Sequence, residues 1–121
     1  SRVLFLIFAA AFALCVTAQV FIAGMATFAG PQNWALHVNF VHFFEFLPLL
    51  MLLFAFLGKM PASMKWVSGG QFLLIFYMYF AANIGGIYPM LAATHPVVAL
   101  AIFGLAIWTV SRAWQGLQTK N

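Results

Sequence analysis

The feature that most constrains the fold of this chain is a succession of four long apolar segments, separated by short breaks that contain glycine or proline. An apolar stretch of about 20 residues spans a bilayer as a helix. Only 5% of the 121 residues are charged and the mean hydropathy is +1.07, whereas soluble domains carry roughly 25% charged residues. The sequence therefore predicts an integral membrane protein that crosses the bilayer several times.

Glycine and proline mark where these helices are expected to end. Gly30 and Pro31 follow the first apolar segment, and Gly85 and Gly86 follow the third. Pro48 lies inside the second segment and should kink it, because proline leaves a carbonyl of the preceding turn without its helical hydrogen bond. We expect one all-α domain over residues 1–121, folded as a four-transmembrane-helix bundle. Its helices are expected at about residues 3–29, 33–58, 64–84 and 95–114.

The charged residues predict how the bundle lies in the membrane. Five cations oppose one acid, for a formal charge of +4, and they occur one or two at a time at helix ends rather than in a block that would bind nucleic acid. By the positive-inside rule, the end that carries them faces the cytoplasm. We therefore expect both termini to be cytoplasmic and the partner to be a lipid bilayer, with no nucleic acid. The cations at this end are Arg2, Lys59, Lys65, Arg112 and Lys120.

The segment Trp34–Pro48 holds most of the polar chemistry. It contains His37, His42 and Glu45, the only carboxylate side chain of the sequence. Counting about 1.5 Å per residue from the helix ends places these groups, with polar residues of the other helices, in the outer half of the membrane. The inner half is expected to be almost purely apolar. The polar groups expected in the outer half are Gln19, His37, His42, Glu45, Tyr79, Asn83 and His95.

Histidines on separate helices favour a haem or metal site. His95 opens the fourth helix and His37 lies about one turn into the second, so the two are expected at similar height. Imidazole binds a metal in its neutral form, which the positive end of a helix dipole favours. His37 and His42 lie ~140° apart on the helical wheel, so one site cannot easily use both. The expected ligands of a b-type haem are His95 with either His37 or His42. The alternative is that these histidines are amphipathic residues at the membrane interface.

Two further interpretations concern Glu45 and copper. A carboxyl group inside a membrane helix costs ~3 kcal/mol, so Glu45 is expected to have a role. Protonated or paired with His42, it could relay protons to a quinone or to a haem propionate; the alternative is a polar contact with Gln19 or with a partner subunit. Copper bound by His37, His95 and Met90 is a weaker alternative. No nucleophile triad, phosphate-binding loop or CxxC motif occurs, so no independent catalytic activity is expected.

The histidine contexts resemble a family of small four-helix prokaryotic membrane proteins that are known only as a domain of unknown function. The resemblance rests on Trp34–His37, on His42 with the leucine-rich run to Leu57, and on His95-Pro96, and it extends from the first helix to Arg112. It implies a four-span fold in a bacterial or archaeal cytoplasmic membrane, with no established activity. Histidines on two helices of a four-helix bundle are also similar, in architecture alone, to b-type membrane cytochromes.

Three functional hypotheses follow from these residues. The first is a small haem-binding protein that transfers electrons near the outer face of the membrane. The second is an accessory subunit of a larger respiratory or photosynthetic membrane complex, with no chemistry of its own. The third is quinone binding without haem. Other membrane subunits or further copies of the chain are expected as partners. The candidate cofactor-binding residues are His37, His42, His95, Glu45 and Gln19.

Overall fold

The computed structural model describes residues 1–119, and every regular element within them is an α helix. The all-α prediction is confirmed for this part of the chain. The last helix continues to Gln118, about one turn beyond the end expected near Trp114. Lys120, one of the five cations assigned to the cytoplasmic end, lies outside the described residues. The helices are α1 (Arg2–Phe28), α2 (Asn33–Phe44), α3 (Leu47–Leu57), α4 (Ala62–Asn83), α5 (Pro89–Ala92) and α6 (Thr94–Gln118).

The helices of the described chain form four rods. Helices α2 and α3 make one interrupted rod, and the short helix α5 leads into α6. Helix α1 packs against α2, α3 and α6, while α4 packs against α3 and α6. Each rod thus has two neighbours, and the short connections make consecutive rods antiparallel. The α2–α3 rod and α6 therefore lie diagonally opposite each other in the bundle.

Within residues 1–119, three of the four rods contain a helical stretch that is long and apolar enough to cross a membrane. The chain is therefore a membrane protein that lies in a lipid bilayer. Helix α4 is 22 residues long but is not among these stretches. Its serine, glycine, glutamine, tyrosine and asparagine residues make it less apolar than the other rods. The stretches that qualify are Arg2–Phe28, Asn33–Leu57 and Pro89–Gln118.

The second rod is interrupted at Glu45 and Phe46, just before Pro48. Pro48 stands in the first turn of α3, where its missing N–H does not disturb the helix. The carbonyl of Phe46 accepts hydrogen bonds from the N–H groups of Leu49 and Leu50, at 3.0 and 3.2 Å, and so starts the new helix. Helix α3 packs against both α1 and α4, whereas α2 packs chiefly against α1. Glu45 therefore lies where the rod changes its neighbours.

The bundle core consists of aromatic, aliphatic and small residues, with Phe5, Phe12 and Met51 fully buried. Small residues such as Ala9 and Ala106, each 1% exposed, let the rods approach closely. The remaining buried hydrophobic residues of the central cluster are Ala13, Val16, Phe44, Ala55, Met60, Met64, Ile75, Ile102 and Ala113.

The expectation that the inner half is almost purely apolar is wrong. Ser68, Gln71 and Thr109 are all fully buried on α4 and α6, below the level of the histidines. The hydroxyl of Ser68 donates to the carbonyl of Met64 at 2.7 Å, and that of Thr109 to its own helix at 2.6 Å. Neither amide atom of Gln71 has a hydrogen-bond partner within residues 1–119.

Candidate functional site

His37 and His95 come together at one end of the bundle, across the diagonal between the second rod and α6. Their ring centroids lie 6.4 Å apart and their planes are inclined by 59°. His37 is in the second turn of α2, and His95 is the second residue of α6. The ring of Trp34 packs edge-on against His37, with centroids 5.6 Å apart. Both imidazoles are half-buried, so the pair is partly enclosed by protein.

The δ nitrogens of both rings are bonded to backbone carbonyls. His37 Nδ1 lies 3.2 Å from the carbonyl oxygen of Gln19 on α1, and His95 Nδ1 lies 3.1 Å from that of Met78 on α4. Because a carbonyl oxygen only accepts hydrogen bonds, each Nδ1 carries a proton, so the neutral form of each ring would present the lone pair of Nε2. Within residues 1–119 neither Nε2 forms a hydrogen bond. Metal-binding histidines commonly show this arrangement.

Gln19 fixes α2 against α1 beside the pair. Its side-chain Nε2 donates to the carbonyl of His37 at 2.7 Å, while its own carbonyl accepts from the His37 ring. This reciprocal contact holds both the backbone and the imidazole of His37. The other amide atom, Gln19 Oε1, is buried and has no hydrogen-bond partner in the described part of the chain. A buried acceptor therefore remains free for a donor from a bound group.

Glu45 belongs to a second cluster, with His42 and Tyr79. The hydroxyl of Tyr79 donates to Oε2 of Glu45. His42 Nδ1 lies 3.4 Å from the same carboxylate oxygen and 3.3 Å from the Tyr79 hydroxyl. The rings of His42 and Tyr79 stack, with centroids 5.6 Å apart and planes inclined by 20°. The Glu45 side chain is 18% exposed and that of His42 is 57% exposed. The carboxyl group is thus shielded, whereas the imidazole faces the surroundings of the bundle.

The two clusters are separate. His37 and Glu45 are eight residues apart, about 12 Å along the rod. The hydrogen-bond partner of Glu45 in the described residues is Tyr79, rather than Gln19. His37, and not His42, lies beside His95. The histidines of the second rod therefore lie in different clusters, and only His37 lies beside a histidine of α6.

Sequence reasoning missed some of the polar contacts around these clusters. The hydroxyl of Tyr77 contacts that of Thr94, which joins α4 to the residue before His95. Met78 takes part through its carbonyl, and a backbone group leaves no mark in the side-chain pattern. The spacing of Tyr77 and Tyr79 did indicate that the two side chains contact different rods. Residues two apart lie about 200° apart around a helix and therefore face different neighbours. Asn83, expected at the same level, donates to the carbonyl of Tyr79 in its own helix.

The histidine pair brings together two imidazole Nε2 atoms, without a third His, Cys, Asp or Glu ligand in the described part of the chain. Within residues 1–119 no group of three or more His, Cys, Asp or Glu residues could hold a metal ion. Met90, the third candidate ligand for copper, exposes 82% of its surface. Two imidazoles from different helices suit a metal whose remaining ligands come from a cofactor, as in bis-histidine haem, better than a closed zinc or copper site.

Comparison with known proteins gives one family. A model of a family of unknown function, DUF6220, matches residues 19–84. The matched segment contains Gln19, His37, His42, Glu45 and Tyr79, and it ends before His95. No curated protein and no solved structure matches the chain. Because the match covers more than half of the 121 residues, the chain belongs to the DUF6220 family.

Proposed function

We propose that this chain is a four-span membrane protein that binds a b-type haem between His37 and His95 and transfers electrons near the outer face of the membrane. The observation that carries the proposal is the pair of facing imidazoles, each with its Nδ1 on a backbone carbonyl and its Nε2 without a protein partner within residues 1–119.

Helix α4 supports the four-span arrangement through its length and position. Its 22 residues rise about 33 Å, close to the thickness of the hydrocarbon core. It lies between α3 and α6, which both belong to stretches that are apolar enough to cross. Ser68 and Gln71 are enclosed in the bundle, and Tyr77 and Tyr79 bond to neighbouring rods. A helix with its polar residues turned inward can cross a bilayer at lower overall hydropathy.

The cations support the orientation. By the positive-inside rule, the end that carries them faces the cytoplasm, and we infer that both termini lie on that side. The histidine pair then lies toward the outer face of a bacterial or archaeal cytoplasmic membrane. The cations of the described chain, all at the end of the bundle opposite the histidine pair, are Arg2, Lys59, Lys65 and Arg112.

The spacing of the two rings supports a shared metal centre. Two imidazoles that bind the same metal ion at about 2.0–2.1 Å have their ring centroids at most roughly 6 Å apart. The observed separation of 6.4 Å lies close to this upper limit. The tautomer set by the carbonyls of Gln19 and Met78 makes Nε2 the donor atom on both rings. The residues therefore fit a haem held by two histidines in donor type, in the atom left free on each ring and in the distance between the rings.

The residues around the pair have distinct roles in this proposal. His37 and His95 would hold the haem iron. Gln19 orients His37 through two contacts: its side-chain amide donates to the His37 carbonyl, and its own carbonyl accepts from the His37 ring. When bound, the haem supplies one-electron chemistry. Trp34 packs against the His37 ring at a right angle and would restrain its orientation.

An optical spectrum of the purified chain tests the proposal. We expect a Soret band that shifts on reduction, after expression with haem or reconstitution with haemin. His37→Ala and His95→Ala should each abolish or strongly weaken the band. His42→Ala is the matched control, because it removes an imidazole of the same helix that is not beside His95. A colourless wild-type protein, or an equal loss in all three variants, would refute haem binding at this pair.

A second function is favoured by the cluster of His42, Glu45 and Tyr79. An exposed imidazole backed by a shielded carboxyl group, on a membrane rod, can bind the polar head of a quinone and exchange a proton with it. Quinone retained by a colourless preparation would favour this function. A colourless, quinone-free chain that copurifies with large membrane subunits would favour the accessory-subunit hypothesis instead.

A further inference from the structure

The end of the bundle opposite the histidine pair holds a cavity lined by two arginines, which the proposed function does not use. It has a volume of about 440 Å³ and lies where the start of α1, the start of α4 and the last turns of α6 meet. The polar residues that line it are Arg2, Ser63, Arg112, Gln115 and Thr119. We propose that this cavity binds the phosphate of an anionic phospholipid headgroup.

Arg2 is held at the cavity wall by the turn between α3 and α4. Its Nε donates to the carbonyl of Gly58 at 2.8 Å, and its Nη2 donates to the carbonyl of Lys59 at 3.0 Å. Both acceptors are neutral, so the positive charge of the guanidinium is not compensated. Its third nitrogen, Nη1, forms no hydrogen bond within residues 1–119. Arg2 is therefore positioned by one edge and free to bind an anion with the other.

Arg112 brings a second uncompensated charge to the same cavity. Its guanidinium lies over the ring of Trp108, 5.8 Å from the centroid, and donates no hydrogen bond in the described part of the chain. The sequence has a single acid, Glu45, whose carboxyl group is bonded to Tyr79 on α4. No side-chain carboxylate is thus available to the two arginines. Guanidinium groups pair well with phosphate oxygens, which makes an external phosphate the partner that fits.

The position of the cavity favours a lipid over a soluble phosphate. It lies at the helix ends, which a bundle that spans the bilayer would place at the level of the headgroups. Trp66 and Trp114, near this end of α4 and α6, are 81% and 54% exposed, and exposed tryptophans are typical of the membrane interface. Basic pockets between membrane helices bind anionic lipid headgroups. A lipid also gains contacts between its acyl chains and the apolar rods, so it should bind more tightly than inorganic phosphate.

Lipid retention by the full chain tests the proposal. The purified protein is placed in nanodiscs of phosphatidylcholine, with or without phosphatidylglycerol, and bound lipid is counted by native mass spectrometry. We expect the wild type to retain phosphatidylglycerol in preference to phosphatidylcholine. Arg112→Gln should weaken that retention about tenfold, as expected for the loss of a charge-assisted hydrogen bond. The matched control is Lys65→Gln, since Lys65 lies over the ring of Phe56 at the same end and does not line the cavity.

Retention that survives Lys65→Gln and is lost in Arg112→Gln supports the cavity as the site. Equal retention of the two lipids by the wild type, or equal losses in the two variants, would overturn the proposal. Thermal stabilisation by inorganic phosphate in a neutral detergent, as large as that by phosphatidylglycerol, would assign a soluble anion instead of a lipid and would also overturn it. If Arg112→Gln does not fold, the preference of the unaltered protein between the two lipids decides the outcome.

Discussion

Removing one hydroxyl group tests whether Glu45 and Tyr79 form a shielded hydrogen-bonded unit between the second rod and α4. Tyr79→Phe deletes the O–H that donates to Oε2 of Glu45. It keeps the ring, which stacks on His42 with centroids 5.6 Å apart. Because the Glu45 side chain is only 18% exposed, water cannot fully replace the lost donor. The variant should therefore have a smaller free energy of unfolding than the wild type.

The surroundings of Glu45 set the size of this effect. Hydrogen bonds to charged groups contribute ~1.5–3 kcal/mol in soluble proteins, whereas those between membrane helices average ~0.6 and reach ~1.7 kcal/mol. Oε2 keeps His42 Nδ1 at 3.4 Å, so the carboxyl group is not left without any partner. We expect Tyr79→Phe to lower the free energy of unfolding by ~1–1.5 kcal/mol. Glu45→Gln disturbs the same contact, so the coupling energy in a double-mutant cycle should be ~1 kcal/mol.

Reversible unfolding in mixed detergent and dodecyl sulfate micelles, followed by far-ultraviolet circular dichroism, measures these free energies. Tyr88→Phe is the matched control, because it removes the same atom from a tyrosine that is 61% exposed and has no side-chain hydrogen bond within residues 1–119. The reasoning is wrong if Tyr79→Phe destabilises no more than Tyr88→Phe, or if the effects of the Tyr79 and Glu45 substitutions are simply additive.

Two further substitutions can be measured in the same unfolding assay. Gln71→Leu should raise the free energy of unfolding by ~1–3 kcal/mol, because the buried amide has no partner within residues 1–119; a decrease would contradict this. Gly58→Ala should lower it by ~1–3 kcal/mol, since the added methyl group would lie 3.0 Å from Cγ of Arg2. Gly104→Ala, where a methyl group meets nothing within 4 Å, is the control and should be neutral or stabilising, and equal effects of the two glycine substitutions would refute the steric argument.

Much of the fold follows from local chemistry that the sequence displays. Gly30 has a φ of 149°, a conformation that residues with a Cβ rarely adopt, and it follows Ala29, the residue that caps the end of α1. Pro48 lacks the N–H that a continuous helix requires, so the amino-acid order by itself predicts a break near this residue. That the break falls at Glu45 depends on which carbonyl of the rod loses its partner. The packing of α3 against α4 then determines the direction of the new helix.

The buried polar residues of the inner half could not be predicted from depth alone. Ser68 and Thr109 donate to carbonyls in their own helices, at 2.7 and 2.6 Å, so each brings its hydrogen-bond partner with it and can be buried at little cost. Gln71 is too long to be satisfied in this way, and its amide has no partner within residues 1–119. Its burial reflects the rotation of α4, which is set by packing against α3 and α6 rather than by the composition of the helix itself.

The choice between His37 and His42 also depends on helix rotation. The wheel shows that the two lie far apart around the helix, but it does not show which of them faces the bundle. Two contacts with α1 determine the rotation. The first is the reciprocal bonding between Gln19 and His37. The second is the buried ring of Phe44, which packs against Phe12 with centroids 6.0 Å apart. Both contacts join residues that are distant in sequence, so neither can be predicted from the local sequence of α2.

A seven-residue spacing connects the half-buried histidine pair with the hydrophobic core. Seven residues bring a side chain back to within ~20° of the same face of a helix. On α2, His37 precedes the buried Phe44 at this spacing, and on α6, His95 precedes the buried Ile102 and Thr109. The two imidazoles thus continue the core-facing rows of their helices toward the outer end, where a hydrocarbon side chain would otherwise pack. His42 lies off its row and is 57% exposed. A pair of metal ligands that must be shielded from water belongs on the core-facing rows. A group that exchanges protons with the surroundings belongs outside these rows. The chain has histidines in both kinds of position.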